Sequence, residues 1–399
     1  MGRLLVVCVV LRVRSDRVRS DRVRSGRVRS DRVRSGRVRS HWNLEVIVGL
    51  IRGDKEMSYF HEVHEQFDTE LWVNNPALPG IELGLTAGAV GIASNPRYIA
   101  TLLQAEPEFV HATVDEVLGQ AGTKDEQQLA MEVIQKAVSR PMKMFHALYR
   151  ESRGRYGHVA IQGTPFRNDN LTALLDEAER FRDLGENVII KQPATVEGAQ
   201  ALEELTARGW STIGTMSFSV DQYIHMAEAH RRGLQRTTKK PRCLITMLPG
   251  MFDEYLAEDA ARRGVEVSDE VRCQAGLCTA RAAYKVYRER NYEASILSGG
   301  ARSTSHWTEL VGPGMAVTLS GKLTETLVRE SPRVESRIES SAPREVIEQL
   351  RQKFPDFVKA CDEGSMVPEN FRSYGPVVRF QNSLVDGLEI IISEIRTRR

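Results

Sequence analysis

The chain has 399 residues, 41% of them hydrophobic and 27% charged, an ordinary globular composition that suits one large domain or two small ones. No apolar run approaches the roughly 18 residues of a membrane span, so no membrane partner is expected. The net charge of +2 averages two unlike regions: residues 1–40 hold 13 Arg and 3 Asp, while the remainder carries 42 basic and 50 acidic residues. An acidic body offers no electrostatic case for a nucleic-acid partner.

Residues 12–40 repeat R-V-R-S-D/G with a five-residue period. Every Val is flanked by Arg, so the segment cannot bury enough surface to offset its ordering entropy, and residues 1–56 are expected to be disordered. Three accounts compete: a basic arm for nucleic acid or acidic lipid, a targeting sequence, or a stretch upstream of a true start at Met57. The near-perfect period, and organised sequence beginning near Met57, favour the last. The apolar run of MGRLLVVCVVLRVR precedes most of its charges and no small-residue cleavage site follows, which argues against targeting.

From residue 70 short apolar runs alternate with amphipathic segments. Candidate strands are 71–73, 90–93, 158–161, 188–191, 212–216, 243–248, 295–297 and 316–319. Helical patterns between them cover 125–150, 171–184, 196–208, 219–232 and 268–290. Repeated β-then-α order implies a parallel sheet with right-handed crossovers, and eight units in about 250 residues suit a closed (β/α)₈ TIM barrel, an α/β fold. A doubly wound open sheet is the alternative, but it would usually carry a glycine-rich phosphate loop after its first strand, and none is present. After residue 320 the pattern is helical, with 343–361 and 377–396 either packing outside the barrel or covering its open end. No linker interrupts residues 57–399, so these are read as one domain.

Five cysteines occur: Cys8, Cys243, Cys273, Cys278 and Cys361. The pair 273/278 has C-x₄-C spacing with no second pair, a weak zinc signal. Reduced thiols in a cytoplasmic protein are the plain expectation, with Cys273 and Cys278 packed within a helix. No dedicated metal site is apparent.

The sharpest chemical signal is Asn187-Val-Ile-Ile-Lys191-Gln-Pro-Ala-Thr. Lys191 closes a buried-looking strand and is followed at once by a loop, which in a barrel is the face where active sites sit. An inward lysine there loses solvation, which lowers its pKa and frees a neutral amine to attack a carbonyl. Read by itself, the segment also fits a rim lysine whose ammonium reaches solvent.

The wider stretch VIIKQPATVEGAQALEELTARGWSTIGTMSFSVDQY, residues 188–223, resembles the transaldolase family. Lys191, Pro193, Thr195, Glu197, Gly198, Gly209, Thr215, Phe218 and Ser219 fall on that family's pattern. Residues 71–99, ending in Ser94-Asn95-Pro96, look like its first two strands, and residues 296–311, ILSGGARSTSHWTELV, look like its seventh strand and phosphate loop. The resemblance covers about residues 70–330.

It implies a transferase of carbohydrate metabolism, of the pentose phosphate type, that moves a dihydroxyacetone unit between sugar phosphates. Lys191 matches the Schiff-base lysine, Thr215 the threonine that helps hold the catalytic water, and Arg302 the arginine that binds the substrate phosphate. Gly299 and Gly300 let backbone N–H groups approach that phosphate. Asn95 and Thr246 are further substrate-site candidates. Neither metal nor organic cofactor is implied, because the imine is the electron sink; a homo-oligomer is left open.

Four positions depart from the pattern. The aspartate expected at the end of the first strand is Asn74, which can orient a hydroxyl but cannot take its proton. The glutamate expected after the third strand is Gln162, as in the aldolase branch. Ile213 and Met251 stand where the family has asparagine and arginine. Imine formation therefore looks intact and proton transfer weakened. Glu82, Asp169, Asp253, Tyr156 and His158 are candidates for the missing acid or base, with His158, near a strand start, expected to be structural. A Schiff-base aldolase or transferase with another sugar substrate, and a sugar-phosphate-binding barrel with little turnover, are the competing functions.

Overall fold

The computed structural model describes residues 58–399. The repeat, and the boundary proposed at residues 56 and 57, lie outside the described residues. The elements follow in the order α1 (Tyr59–Phe67), β1 (Glu70–Asn74), α2 (Leu78–Ala87), β2 (Gly91–Ala93), α3 (Tyr98–Ala105), α4 (Pro107–Leu118), α5 (Glu126–Glu151), β3 (His158–Gln162), α6 (Leu171–Arg182), β4 (Val188–Pro193), α7 (Val196–Ala207), β5 (Thr212–Thr215), α8 (Val220–Leu234) and β6 (Cys243–Met247). Then come α9 (Pro249–Arg263), α10 (Asp269–Arg272), α11 (Ala275–Arg290), β7 (Ser295–Ser298), α12 (Ser305–Thr308), β8 (Met315–Leu319), α13 (Gly321–Glu330), α14 (Arg344–Lys353), α15 (Pro355–Cys361) and α16 (Gly375–Arg398). All eight strands pair in parallel with their sequence neighbours, and β8 returns to β1, closing the barrel.

The interior is layered because side chains alternate across a strand. Trp72, Ala160, Ile189, Ile213, Leu244, Leu297 and Ala316 form one buried apolar cluster, a layer across the barrel. Trp72 fits because its neighbour on β2 is Gly91, where a Cβ would lie 2.7 Å from the indole. Two residues further along the same strands stand Asn74, Gln162, Lys191, Thr215, Thr246, Gly299 and Thr318. The change from apolar to polar at one level marks the C-terminal mouth.

Helix N-termini surround that mouth, and those after β4 and β5 carry side-chain caps. Thr195 accepts from Gly198 N–H, and Ser219 from Gln222 N–H. Gly198 explains the last letter of the P-x-T-x-E-G motif. A Cβ there would meet the Pro193 carbonyl oxygen at 1.9 Å, so only glycine lets α7 start against the end of β4.

Two predicted helices are split. Residues 268–290 divide into α10 and α11 at Cys273–Gln274, where Gln274 N–H bonds to the Val271 carbonyl three residues back rather than four. Cys273 therefore sits exposed at a helix end instead of packed within a helix, and Cys278 is half-buried. Residues 343–361 divide at Pro355, which starts α15 and forces Phe354 out of the helical region. The C-terminal helices pack over the loops after β5 and β6, through a buried cluster that includes Phe218, Phe252, Phe354, Phe357 and Phe380. Among the described residues no helix is long and apolar enough to cross a membrane.

Candidate active site

A cavity of about 530 Å³ opens at the C-terminal ends of the strands. Eight of the nine singled-out site residues line it: Asn74 and Asn95, Lys191 and Thr215, Thr246 and Arg302, and Gly299 and Gly300. Gln162 does not. It ends β3 in register with Lys191, is buried, and leaves its Oε1 without a partner.

Lys191 is 7% exposed, and no hydrogen bond or ion pair to its ammonium occurs among the described residues. Burial alone lowers its pKa from 10.5 to about 8. The rim-lysine alternative fails, because a group this enclosed cannot carry its charge into solvent. Thr246 Oγ1, on the same polar level, is also buried and unpartnered. Groups of this kind, left unsatisfied on the side facing a cavity, are free for a ligand.

On the β1–β2 side, Asn75 adopts a left-handed conformation with φ 44° directly after Asn74. Its side chain pairs with Asn95: Asn75 Nδ2 donates to Asn95 Oδ1 at 3.2 Å, and Asn95 N–H donates to Asn75 Oδ1 at 3.1 Å. Asn95 Oδ1 also accepts from Arg97 N–H at 2.9 Å, so its oxygen holds the turn and only its amide nitrogen remains for substrate.

Opposite stands the loop after β7. Gly300 has φ +68°, and its carbonyl oxygen comes so close to α9 that a Cβ on Gly250 would meet it at 2.3 Å. Arg302 forms an ion pair with Glu254, and Glu254 Oε2 accepts from Arg302 Nη2 at 3.2 Å. Although burial raises the Glu254 pKa, hydrogen bonds from Arg302 hold it below the usual value. Met251 lines the cavity and packs against Gly300, putting a thioether where the resemblance expects an arginine.

Two buried residues that sequence reasoning did not combine tie this loop down. His306 Nδ1 accepts from Arg302 N–H at 3.3 Å, and its Nε2 lies 3.1 Å from Asp253 Oδ2. Asp253 Oδ1 in turn accepts from Gly276 N–H at 2.8 Å. The backbone donor on Nδ1 fixes the tautomer, with the proton on Nε2 shared with the carboxylate. The pairing joins residues 53 positions apart, and the sequence carries no spacing signal for it.

None of the five acid–base candidates reaches the cavity. Asp253 is spent on His306 and Gly276. Glu82 is exposed on α2, and Asp169 pairs with Arg372 at 2.9 Å. Tyr156 and His158 sit at the barrel's other end, where Tyr156 bonds to His64 and His158 Nε2 to the Gly154 carbonyl. Burial pushes the His158 pKa down to about 3, consistent with a neutral structural imidazole.

Fold and cavity together define a (β/α)₈ barrel built around one buried, unpaired lysine, with an arginine-bearing glycine loop facing it. The family model described as Transaldolase/Fructose-6-phosphate aldolase matches residues 77–364, and the chain belongs to that family. A transaldolase of Arthrobacter sp. (strain FB24) is 25% identical over 261 residues, 58% of this chain and 70% of the relative. One of Campylobacter jejuni (strain RM1221) is 28% identical over 235 residues, covering 55% and 67%. One of Trichodesmium erythraeum is 22% identical over 331 residues, covering 72% and 86%. Of the Saccharopolyspora erythraea transaldolase the chain spans 61%. This is a divergent member.

Proposed function

We propose that the protein is a transaldolase-type transferase, moving a dihydroxyacetone unit between sugar phosphates through an imine on Lys191. The observation that carries the reading is the enclosure of Lys191, unpaired and able to shed its proton near neutral pH, in the same cavity as Arg302 and its glycine loop. Neutral Nζ adds to the ketose carbonyl carbon, and loss of water with uptake of one proton gives the protonated imine. When the hydroxyl across the neighbouring C–C bond gives up its proton, that bond breaks. Its electron pair moves into the imine, leaving a neutral enamine on Lys191 and a free aldehyde. Addition of the enamine to a second aldehyde, and hydrolysis, completes transfer. The imine is the electron sink, so these steps use no metal or organic cofactor.

Arg302 suits the phosphate because its planar fork can donate two parallel bonds, and the Asp253–His306 pair holds its backbone. Thr215 is assigned the catalytic water, with Thr246, Asn74 and Asn95 orienting hydroxyls. A coupled assay with fructose 6-phosphate as donor and erythrose 4-phosphate as acceptor tests the reading. Turnover that vanishes in Lys191→Ala supports it, and binding without product would favour a sugar-phosphate-binding barrel.

Met251 favours a second reading: an apolar group in the cavity suits an acceptor or donor less polar at that point. Activity with other aldehydes, and little with erythrose 4-phosphate, would select that reading.

A further inference from the structure

The cavity has a wall that no barrel strand supplies. Arg379, Asn382, Ser383 and Asp386 of α16 line it together with Lys191 and Arg302. Their spacing is i, i+3, i+4 and i+7, one face of the helix. The other side of α16 is apolar: Leu384, Leu388, Ile391 and Ile395 are buried. The helix is fastened across the mouth at several points. Arg97 Nη1 donates to the Ser383 carbonyl, Asn168 Nδ2 donates to Gln381 Oε1 at 2.7 Å, and the rings of Phe218 and Phe380 meet edge-to-face. These contacts reach the loops after β2, β3 and β5.

Arg379 completes the fastening beyond β6. It binds Glu258 bidentately, Nε and Nη2 lying 2.8 and 2.7 Å from the two carboxylate oxygens. Its Nη2 also donates to Glu254 Oε2 at 3.2 Å, the oxygen that accepts from Arg302 Nη2 at the same distance. Two guanidinium groups, one from the barrel and one from α16, thus reach a single anionic oxygen. A substrate phosphate oxygen in that position would be held by both, with the Glu254 carboxylate displaced from it.

The carboxylates tell a complementary story. Three line the cavity: Glu254, Glu258 and Asp386. The first two are in ion pairs with Arg302 and Arg379. Asp386 has no hydrogen-bond or ion-pair partner among the described residues. The strand ends offer no carboxylate: Asn74 and Gln162 are amides, which cannot accept a proton at neutral pH. Two helical turns, about 10 Å along the helix axis, separate Arg379 from Asp386.

Resting on the imine reading above, we propose that α16 supplies both groups the strands lack. Arg379 is the second cation on the substrate phosphate, and Asp386 is the base and acid for the hydroxyl at the cleaved bond. In the forward step the Asp386 carboxylate takes the hydroxyl proton as the C–C bond breaks and the electron pair enters the imine. In the transfer step the protonated Asp386 returns that proton to the acceptor aldehyde's oxygen as the new bond forms. No oxidant, reductant or further reactant enters.

The test uses the full chain with fructose 6-phosphate, reading both borohydride-trapped adduct and aldehyde transfer. Asp386→Asn should trap sugar on Lys191 as wild type does, yet lose about 10²–10⁴-fold in kcat with little change in KM; Asp386→Glu should recover part of it. Arg379→Gln should raise KM for fructose 6-phosphate about 10- to 100-fold and weaken activity on unphosphorylated fructose far less. Wild-type turnover that persists in Asp386→Asn, or an Arg379→Gln effect equal for both sugars, overturns the inference and leaves the imine reading standing. Absence of any adduct on wild type overturns both.

Discussion

The two mouths of the barrel are built from the same strands and treat charge in opposite ways. At the N-terminal mouth, Glu70 pairs with Arg242, Trp72 Nε1 donates to Glu70 Oε2 at 3.0 Å, and Asp68 meets Arg155 at 3.1 Å. The charges that enter the barrel there are matched. At the C-terminal mouth, four residues along from the same level, Lys191 stands with no counter-charge, and Gln162 and Thr246 keep unpartnered oxygens. A cavity of about 540 Å³ exists at the N-terminal end too, so space alone does not distinguish a site. What differs is the buried charge: Glu70 at the N-terminal end has its guanidinium partner, whereas Lys191 at the other end has no counter-charge among the described residues. Matched groups hold the barrel together; unmatched ones cost stability and remain available to substrate.

Substitution at each end should separate these roles. The largest expected effect is at Glu70. Glu70→Gln leaves Arg242 half-enclosed without its carboxylate and should lower unfolding free energy by about 3–5 kcal/mol in urea titration. Borohydride trapping by the protein that remains folded should be unchanged. Loss of trapping without loss of stability would break the comparison.

Lys191→Met should do the reverse. A lysine whose folded pKa is near 8 and unfolded value 10.5 costs stability in full below pH 8, and the cost fades between the two values as pH rises. Removing it should therefore raise stability by about 1–3 kcal/mol at pH 7 and by much less at pH 10. For the same reason the initial rate of imine formation should climb with pH and level off above about 8, followed by single-turnover trapping.

A smaller effect is expected at Glu177, which accepts from Thr164 N–H just beyond Gln162 and whose pKa burial raises to about 7. A raised carboxyl costs nothing below its unfolded value of 4.5, and its cost grows as pH rises to about 7. Glu177→Gln should thus stabilise by about 1–2 kcal/mol at pH 8 and hardly at all at pH 4.5, measured as the pH dependence of thermal unfolding.

Much of this was legible in the chain. Alternation of apolar runs with helical patterns identified the barrel, since each βα unit repeats a local signal. Lys191, Arg302 and their glycines were legible because each lies within a short motif whose backbone constraints, such as the close approach at Gly198, act over a few residues. The Asp253–His306 pair and the Arg302–Glu254–Arg379 convergence were not. They join segments far apart in sequence, and no periodicity records which loop meets which. The split at Pro355 was visible in principle, whereas the break at Cys273 rests on one hydrogen bond and leaves no compositional mark. The acid–base candidates failed because residue type alone says nothing about which end of the barrel a side chain occupies.

Whether Lys191 carries the chemistry is decided by borohydride reduction in the presence of fructose 6-phosphate, followed by peptide mass analysis of wild type and Lys191→Ala. A sugar adduct is expected on the peptide containing Lys191 in wild type and none in the variant. Phosphate sugar that binds without forming an adduct, or an adduct on another lysine that persists in Lys191→Ala, would contradict it.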